Sequence, residues 1–252
     1  MKAVILAAGK GSRMKELTNE LPKPMLTIQG KPILEHILLG LRTAGIRDIF
    51  IVTGHKADSI ENYFGDGRRW DAHIKYGRQV VQDGTGKAPE LARDFVGADD
   101  FLLTYGDILV NPHPYASLVR RFQSGAFAGV VSVTGGTDVT KGAINFFDEQ
   151  FCLVRLVEKP SAEQLEEFRR NGLLPPGAIA WYNAGIYIFR PLVFEFTAQL
   201  KKSVRGEYEL TDAINALAAA GHRLAGLQLE GRWVDVRDPE VLAGLEREKW
   251  GQ

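Results

Sequence analysis

Cysteine is nearly absent. Cys152 is the only one among 252 residues, so no intrachain disulfide can form and nothing ties the chain to an oxidising compartment. Set between Phe151 and Leu153, it reads as a small apolar filler in a strand rather than a nucleophile. An excess of one charge is missing too. Lys plus Arg number 31 and Asp plus Glu number 31, which argues against a general nucleic-acid binder, since such proteins carry a basic surplus. His36, His55, His73, His113 and His222 make no zinc spacing with one another or with the lone cysteine. No apolar run approaches the roughly 18 residues of a membrane span. The opening Lys2-Ala-Val-Ile-Leu6 lacks the regions of a secretion signal and starts a strand directly. A cytoplasmic protein without nucleic-acid or membrane partners is expected. Internal repeats and long linkers are also missing, so one domain over residues 1–252 is expected.

What is present is an alternation of strand and helix patterns. Ala3 to Leu6 is a wholly apolar run of the kind a buried parallel strand needs. Pro32 opens a helix with Ile33, Leu34, Ile37, Leu38 and Leu41 on one face, and Gly45 closes it. Strands follow at 49–52, 73–76 and 101–105, with helices at 57–64 and through Leu91 and Phe95. Repeated strand–helix–strand units predict an α/β fold: a Rossmann-like, three-layer arrangement with a mostly parallel central sheet. Ligands bind such sheets outside the carboxyl ends of the strands. The second half is more mixed. It has strands at 128–133, 142–147, 152–157 and 182–189, a strand leading to Trp233-Val-Asp235, and helices at 161–171, 211–220 and from Pro239. Thr211-Asp212 suits an N-cap pair, Asn183-Ala184-Gly185 suits a bulge, and Trp181 and Tyr182 are expected to pack in the interior.

Chemistry gathers at the strand ends. After the first strand comes Leu6-Ala-Ala-Gly-Lys-Gly-Ser-Arg-Met14, whose small residues allow close backbone approach to an anion. Arg13 adds a fork suited to phosphate oxygens. A dinucleotide fingerprint does not fit, because no third glycine follows Gly9 and Gly11. A Walker A loop fails as well, with Val81 and Ala88 at required Gly and Ser/Thr positions. Lys23 stands between Pro22 and Pro24, whose fixed φ angles stiffen its segment. Asp107 and Asp235 each follow an apolar strand, and two such carboxylates are what Mg²⁺ takes before completing its shell with water and phosphate oxygens. Standing alone, Glu158-Lys159-Pro160 would be a strand end with its charges in water. No covalent nucleophile stands out.

Taken together these blocks resemble the signature of the sugar-1-phosphate nucleotidyltransferases, the NDP-sugar pyrophosphorylases. The likeness runs in order through residues 6–14, Leu21-Pro-Lys-Pro-Met25, Gln79 with Gly84-Thr-Gly-Lys-Ala88, Tyr105-Gly-Asp107, Val157-Glu-Lys-Pro160, Asn183-Ala-Gly185, Glu207-Tyr-Glu-Leu-Thr-Asp212 and Trp233-Val-Asp235. The resemblance implies a GT-A-like nucleotidyltransferase fold, with residues 1–110 binding nucleotide and 111–252 binding sugar phosphate. It implies the reaction of an NTP with a sugar 1-phosphate to give an NDP-sugar and pyrophosphate. Leu6, Ala8, Gly9, Gly11, Ser12, Arg13, Lys23, Gln79, Gly84 and Thr85 would then contact nucleotide. Tyr105, Gly142, Glu158, Lys159 and Asn183 would contact sugar phosphate. Asp107 and Asp235 would hold Mg²⁺, with Arg13, Lys23 and Asp107 carrying catalysis. Ala8 and Tyr105-Gly106-Asp107 resemble the uridylyltransferase members, which favours UTP or dTTP.

Two departures stand out. Lys87 occupies a position where the uridylyltransferases often have histidine, and Val236-Arg237-Asp238-Pro239 replaces a frequent Gly-Thr pair. No β-helix follows the last motif, so an added acetyltransferase activity is not expected. A phosphocholine cytidylyltransferase and a non-catalytic nucleotide-sugar-binding regulator are the alternatives. The first would want an aromatic cage for its quaternary ammonium, and the second would have no use for Arg13, Lys23, Asp107 and Asp235 together. Assembly with identical copies stays open, because no exposed heptad or repeat declares an interface.

Overall fold

The computed structural model describes residues 1–248 and 250, without the side chains of Ser12 and Lys15. The run from Ala3 to Ala7 is apolar at every position and has no face to offer solvent, so β1 (Lys2–Ala7) lies mid-sheet. Ala3, Ile5 and Ala7 enter the core on one side, and Val4, Leu6 and Ala8 enter the core on the other. The first half continues with a short hairpin, β2 (Thr27–Ile28) and β3 (Lys31–Pro32), then α1 (Ile33–Thr43), β4 (Asp48–Thr53) and α2 (Ala57–Phe64). It closes with β5 (His73–Arg78), α3 (Arg93–Val96), β6 (Phe101–Tyr105) and β7 (Ile108–Asn111). The second half holds α4 (Tyr115–Gln123), β8 (Gly129–Thr134), β9 (Ala143–Phe147), β10 (Leu153–Glu158), α5 (Ala162–Arg170) and β11 (Trp181–Phe189). After these come α6 (Val193–Ala198), α7 (Leu210–Ala219), β12 (Leu224–Gln228), β13 (Arg232–Asp235) and α8 (Pro239–Arg247).

Nine strands form the main sheet, in the order β10-β9-β11-β6-β1-β4-β5, with β8 paired to β11 and β12 paired to β8. The pairs β1–β4, β1–β6, β4–β5 and β8–β12 are parallel. Only β11 and β10 run against the other seven, so the sheet is mostly parallel, as the strand–helix alternation predicts. The second half departs from simple crossovers because β9, β10 and β11 meet as antiparallel neighbours. Among the described residues, no helix is long and apolar enough to cross a membrane.

Several local expectations shift. The segment after Gly86 is a 3₁₀ helix, Ala88–Ala92, that passes into the single turn of α3. Cys152 is buried, yet it lies just outside β10 and bridges Ala225. Thr211-Asp212 does not cap α7, because the helix already begins at Leu210 with Glu209 as its N-cap residue. The bulge at Asn183–Gly185 is present. Pairing with β8 skips between Asn183 and Tyr187, and Gly185 takes φ 75.

One small element matters more than its size. β7 and β13 pair as an antiparallel ribbon, with Asp235 opposite Ile108 and Val234 opposite Leu109. The Val236 amide also donates to the Asp107 carbonyl at 3.0 Å. Residues from the middle and from the last part of the sequence are thereby fixed side by side at the carboxyl edge of β6 and β1.

Candidate active site

A cleft of about 570 Å³ opens at that edge, and every nucleotide, sugar-phosphate and metal residue expected from sequence lines it except Ser12, whose side chain lies outside the described residues. Its floor is the end of β1. Leu6 accepts the Gly106 amide at 2.9 Å and Ala8 accepts the His55 amide at 3.3 Å, so neighbouring turns lock the loop at its root. Nothing lies within 4 Å of where a Gly9 side chain would point; the backbone there faces open space. Gly11 takes φ 63 as the residue before the 3₁₀ helix Ser12–Thr18, a left-handed turn that suits glycine. That helix carries exposed Arg13 along the cleft.

Lys23 enters beside Gly11, where an added side chain would meet the lysine Cβ at 3.0 Å. Pro22 (φ −70) precedes the 3₁₀ helix Lys23–Met25, and Pro24 and Met25 are buried, so the lysine backbone is anchored on both sides. Its Nζ donates to Asp107 Oδ2 at 2.5 Å and lies 3.9 Å from Asp235 Oδ1. Lys23 is 12% exposed, Asp107 31% and Asp235 19%. Burial, then the adjacent Asp107 carboxylate, raise the Asp235 pKa, while Lys23, Arg237 and Arg13 oppose the rise.

A divalent cation can be tested against this donor set. Two carboxylates converge with one ammonium shared between them, and their mutual repulsion is felt at Asp235. A hard cation that takes one or two carboxylates and fills its shell with phosphate oxygens and water suits such a pair. Among the described residues no group of three or more His, Cys, Asp or Glu gathers as an all-protein metal cage. The residues therefore fit Mg²⁺ held jointly with a ligand.

The loop beyond β5 forms the next wall. Gln79 Nε2 donates to the Gly84 carbonyl at 3.2 Å, leaving its amide oxygen as an acceptor at the cleft. Gly84 takes φ 122, and a side chain there would run into the Tyr208 backbone. The Tyr208 amide donates to Asp83 O at 2.8 Å, Gly86 N donates to Tyr208 O at 2.7 Å, and Leu210 N donates to the Thr85 hydroxyl at 3.3 Å. The loop is thus stitched to the start of α7. Lys87, the first departure, points elsewhere: its Nζ donates to the Thr197 and Ala198 carbonyls at 2.8 and 3.0 Å, tying down the end of α6.

The far wall comes from the second half. A side chain at Gly142 would collide with the Tyr182 hydroxyl, and Gly142 O accepts the Lys159 amide at 2.5 Å. Lys159 takes φ 42, a costly geometry for a non-glycine residue. Glu158 is not a solvated strand end. It is 26% exposed, and its pKa is pushed up to about 7, by burial first and by Glu209 and Asp212, against Arg205 and Lys159. Asn183 Oδ1 accepts the Tyr187 hydroxyl at 3.0 Å and the Gly185 amide at 3.3 Å, which fixes its amide at the cleft. Tyr105 crosses Tyr187 edge to face at 6.3 Å, and burial raises the pKa of both hydroxyls. Tyr182 and Trp233 pack together at 5.2 Å while lining the cleft.

Sequence reasoning missed Arg205. It holds Glu209 at 2.5 Å and lies 3.7 Å from Glu158 and 3.9 Å from Glu207. Its position two residues before Glu207, the first residue of a recognised block, was the available signal. Lys10, Lys141 and Arg237 also line the cleft. Counting from the lining residues, Lys10, Arg13, Lys23, Lys141, Lys159, Arg205 and Arg237 face Asp107, Glu158, Glu207, Glu209 and Asp235. The balance is positive, as a polyanion requires.

Comparison with known proteins agrees. The sequence model described as nucleotidyl transferase matches residues 2–246. The low-salt glycan biosynthesis nucleotidyltransferase Agl11 of Haloferax volcanii is 35% identical over 241 residues, covering 95% of this chain and 63% of that protein. A glucose-1-phosphate thymidylyltransferase of Streptomyces griseus is 31% identical over 235 residues, covering 93% and 62%. A bifunctional GlmU protein of Methanococcus maripaludis is 36% identical over 250 residues, covering 98% and 54%. The chain therefore spans between about half and two thirds of these relatives. The crystal structure of a UDP-glucose pyrophosphorylase complexed with UDP-glucose shares the fold with a TM-score of 0.84 at 24% identity, covering 98% of this chain and 97% of that one.

Proposed function

The chain belongs to the nucleotidyl transferase family, and we propose that it transfers a nucleotidyl group from UTP or dTTP to a sugar 1-phosphate. The observation that carries this reading is the meeting of Arg13, Lys23, Asp107 and Asp235 in one cleft at the carboxyl edge of the parallel strands. An oxygen of the sugar phosphate forms a bond to the α-phosphorus of the NTP. The bond from that phosphorus to the bridging oxygen breaks, and pyrophosphate leaves with the electron pair. The attacking oxygen is already an anion, so no general base is required. What opposes the reaction is repulsion between anions and the charge that develops on the pentacoordinate phosphorus.

Each residue then has a task. Backbone amides of Ala8, Gly9 and Gly11 cradle the triphosphate, and Arg13 holds the departing pyrophosphate. Lys23 stays against the reacting phosphates, kept there by its two prolines. Asp107 and Asp235 would hold Mg²⁺, which when bound would shield the phosphate oxygens and offset the developing charge. Lys159 and Arg205 take the phosphate of the acceptor, and Gly142, Glu158 and Asn183 contact its sugar. The free amide oxygen of Gln79 is an acceptor, and it suits the N3–H donor of uracil or thymine; cytosine presents no donor there. Residues 1–110 thus serve the nucleotide and the remainder serves the acceptor. Catalysis is positioning plus electrostatic stabilisation.

The test is pyrophosphate release with Mg²⁺ over the four NTPs plus dTTP, against several sugar 1-phosphates and phosphocholine. Turnover with UTP or dTTP and a sugar 1-phosphate is expected. Turnover confined to CTP and phosphocholine would overturn the assignment, and binding without turnover in any pair would favour a regulator.

A further inference from the structure

The reaction leaves three cationic cleft residues without a task, Lys10, Lys141 and Arg237, of which Arg237 is the least exposed. Arg237 sits in the stretch Val236-Arg237-Asp238-Pro239, its side chain only 18% exposed. The Asp235 carboxylate separates it from the reacting centre: Oδ1 lies 3.9 Å from Lys23, while Oδ2 lies 3.5 Å from Arg237 Nη2. On its own side Arg237 lies near the Tyr182 hydroxyl, whose rise in pKa it opposes, and that hydroxyl abuts Gly142, where the sugar is expected. A guanidinium carries five N–H donors, and these two neighbours cannot fill them. Two acids act on it through their charge, Asp235 at 3.5 Å and Asp138, yet the hydrogen-bonding oxygen of Asp138 is engaged by other groups. Asp238 accepts the Val241 amide at 3.0 Å as the cap of α8, and Asp138 accepts the Thr140 amide at 3.1 Å and its hydroxyl at 2.6 Å. Lys141 lines the same end of the cleft, 3.8 Å from Asp138.

A largely buried, under-used guanidinium next to the sugar calls for an anion with two oxygens in one plane. We propose that Arg237, in the cleft that Lys141 also lines, reads a second negative charge on the acceptor, a carboxylate or phosphate ester carried by the sugar in addition to its 1-phosphate. The proposal rests on the nucleotidyltransferase reading above. The substrate class is then acidic sugar 1-phosphates, and Arg237 is a specificity-determining residue.

The experiment compares glucose 1-phosphate, glucuronic acid 1-phosphate and glucose 1,6-bisphosphate as acceptors, in the wild type and in Arg237→Gln and Arg237→Lys. At least one acidic acceptor should exceed the neutral one in kcat/KM, the better of the two identifying carboxylate or phosphate. Arg237→Gln should cut that acidic-to-neutral ratio by on the order of 10- to 100-fold, the worth of a charge-assisted hydrogen bond, with Arg237→Lys between. A wild type that prefers the neutral sugar overturns the proposal. So does an Arg237→Gln variant that slows all acceptors alike, the mark of a residue that merely orients Asp235. Calorimetry with UDP-glucuronate and UDP-glucose, and with the two glucose phosphates, separates the two layers of inference. If no acceptor turns over, the transferase reading falls. Tighter binding of UDP-glucuronate than of UDP-glucose, or of glucose 1,6-bisphosphate than of glucose 1-phosphate, that Arg237→Gln abolishes would still support the anion subsite, and equal binding within both pairs would overturn it.

Discussion

Glu158 offers a stability test whose size follows from its surroundings. The carboxyl lies in the cleft wall near Glu209 and Asp212, with Arg205 at 3.7 Å and Lys159 as partial compensation. Burial dominates and lifts its pKa from the ordinary 4.5 to about 7. A folded-state pKa above the unfolded one means that the folded state holds its proton longer. The associated stability is fully present below pH 4.5, is lost as pH rises from 4.5 through 7, and is gone above that. The shift of 7 − 4.5 at 1.36 kcal/mol per unit corresponds to about 3 kcal/mol as an upper limit. Glu158→Gln is neutral at every pH and lacks this loss. Urea unfolding of both proteins at pH 4.5, 6 and 8 should therefore show the wild type losing up to about 3 kcal/mol relative to the variant. A difference that stays flat with pH would refute the account of a desolvated carboxyl among like charges.

Other perturbations probe the remaining walls. Asp107→Asn should lower kcat by on the order of 10²-fold or more, the cost of losing one preorganised charge partner, measured by pyrophosphate release under saturating substrates. Gly84→Ala forces a side chain into the Tyr208 backbone at φ 122. It should destabilise the fold by about 1–3 kcal/mol and raise KM for the NTP more than for the sugar phosphate. Lys87→Ala removes two hydrogen bonds to the end of α6. Its expected cost is about 1–3 kcal/mol of stability by denaturant unfolding, with both KM values unchanged. Removal of divalent cations with EDTA should reduce turnover to background, and added Mg²⁺ should restore it.

Much of the site was legible because its residues follow strand ends, where the chain's own punctuation marks them. Ala8, Gly9 and Gly11 sit after an unbroken apolar run, Lys23 sits between prolines, and Asp107 follows Gly106. Other features gave weaker signals. The charges of Glu158-Lys159 resemble those of any solvated turn, and only the neighbours brought by α7 and the loop before it reveal a desolvated carboxyl. Arg205 and Arg237 lie in loops with no periodicity, so their service to the cleft depends on what lies across it. Thr211-Asp212 suits a helix cap, yet α7 starts one residue ahead of the expected 211, at Leu210, with Glu209 at the N-cap position and its carboxylate held by Arg205.

The sequence by itself determined the strand–helix alternation of roughly the first hundred residues, the burial of β1 on both faces and the position of the anion loop, since these depend on local patterning and on the rule that ligands gather at the carboxyl edge. Tertiary structure alone decided the rest. It turned β11 and β10 against the sheet, paired β7 with β13, and so brought Asp107 and Asp235 within reach of one lysine. Pairings between segments more than a hundred residues apart are set by the shared core they close around, and no local pattern records them.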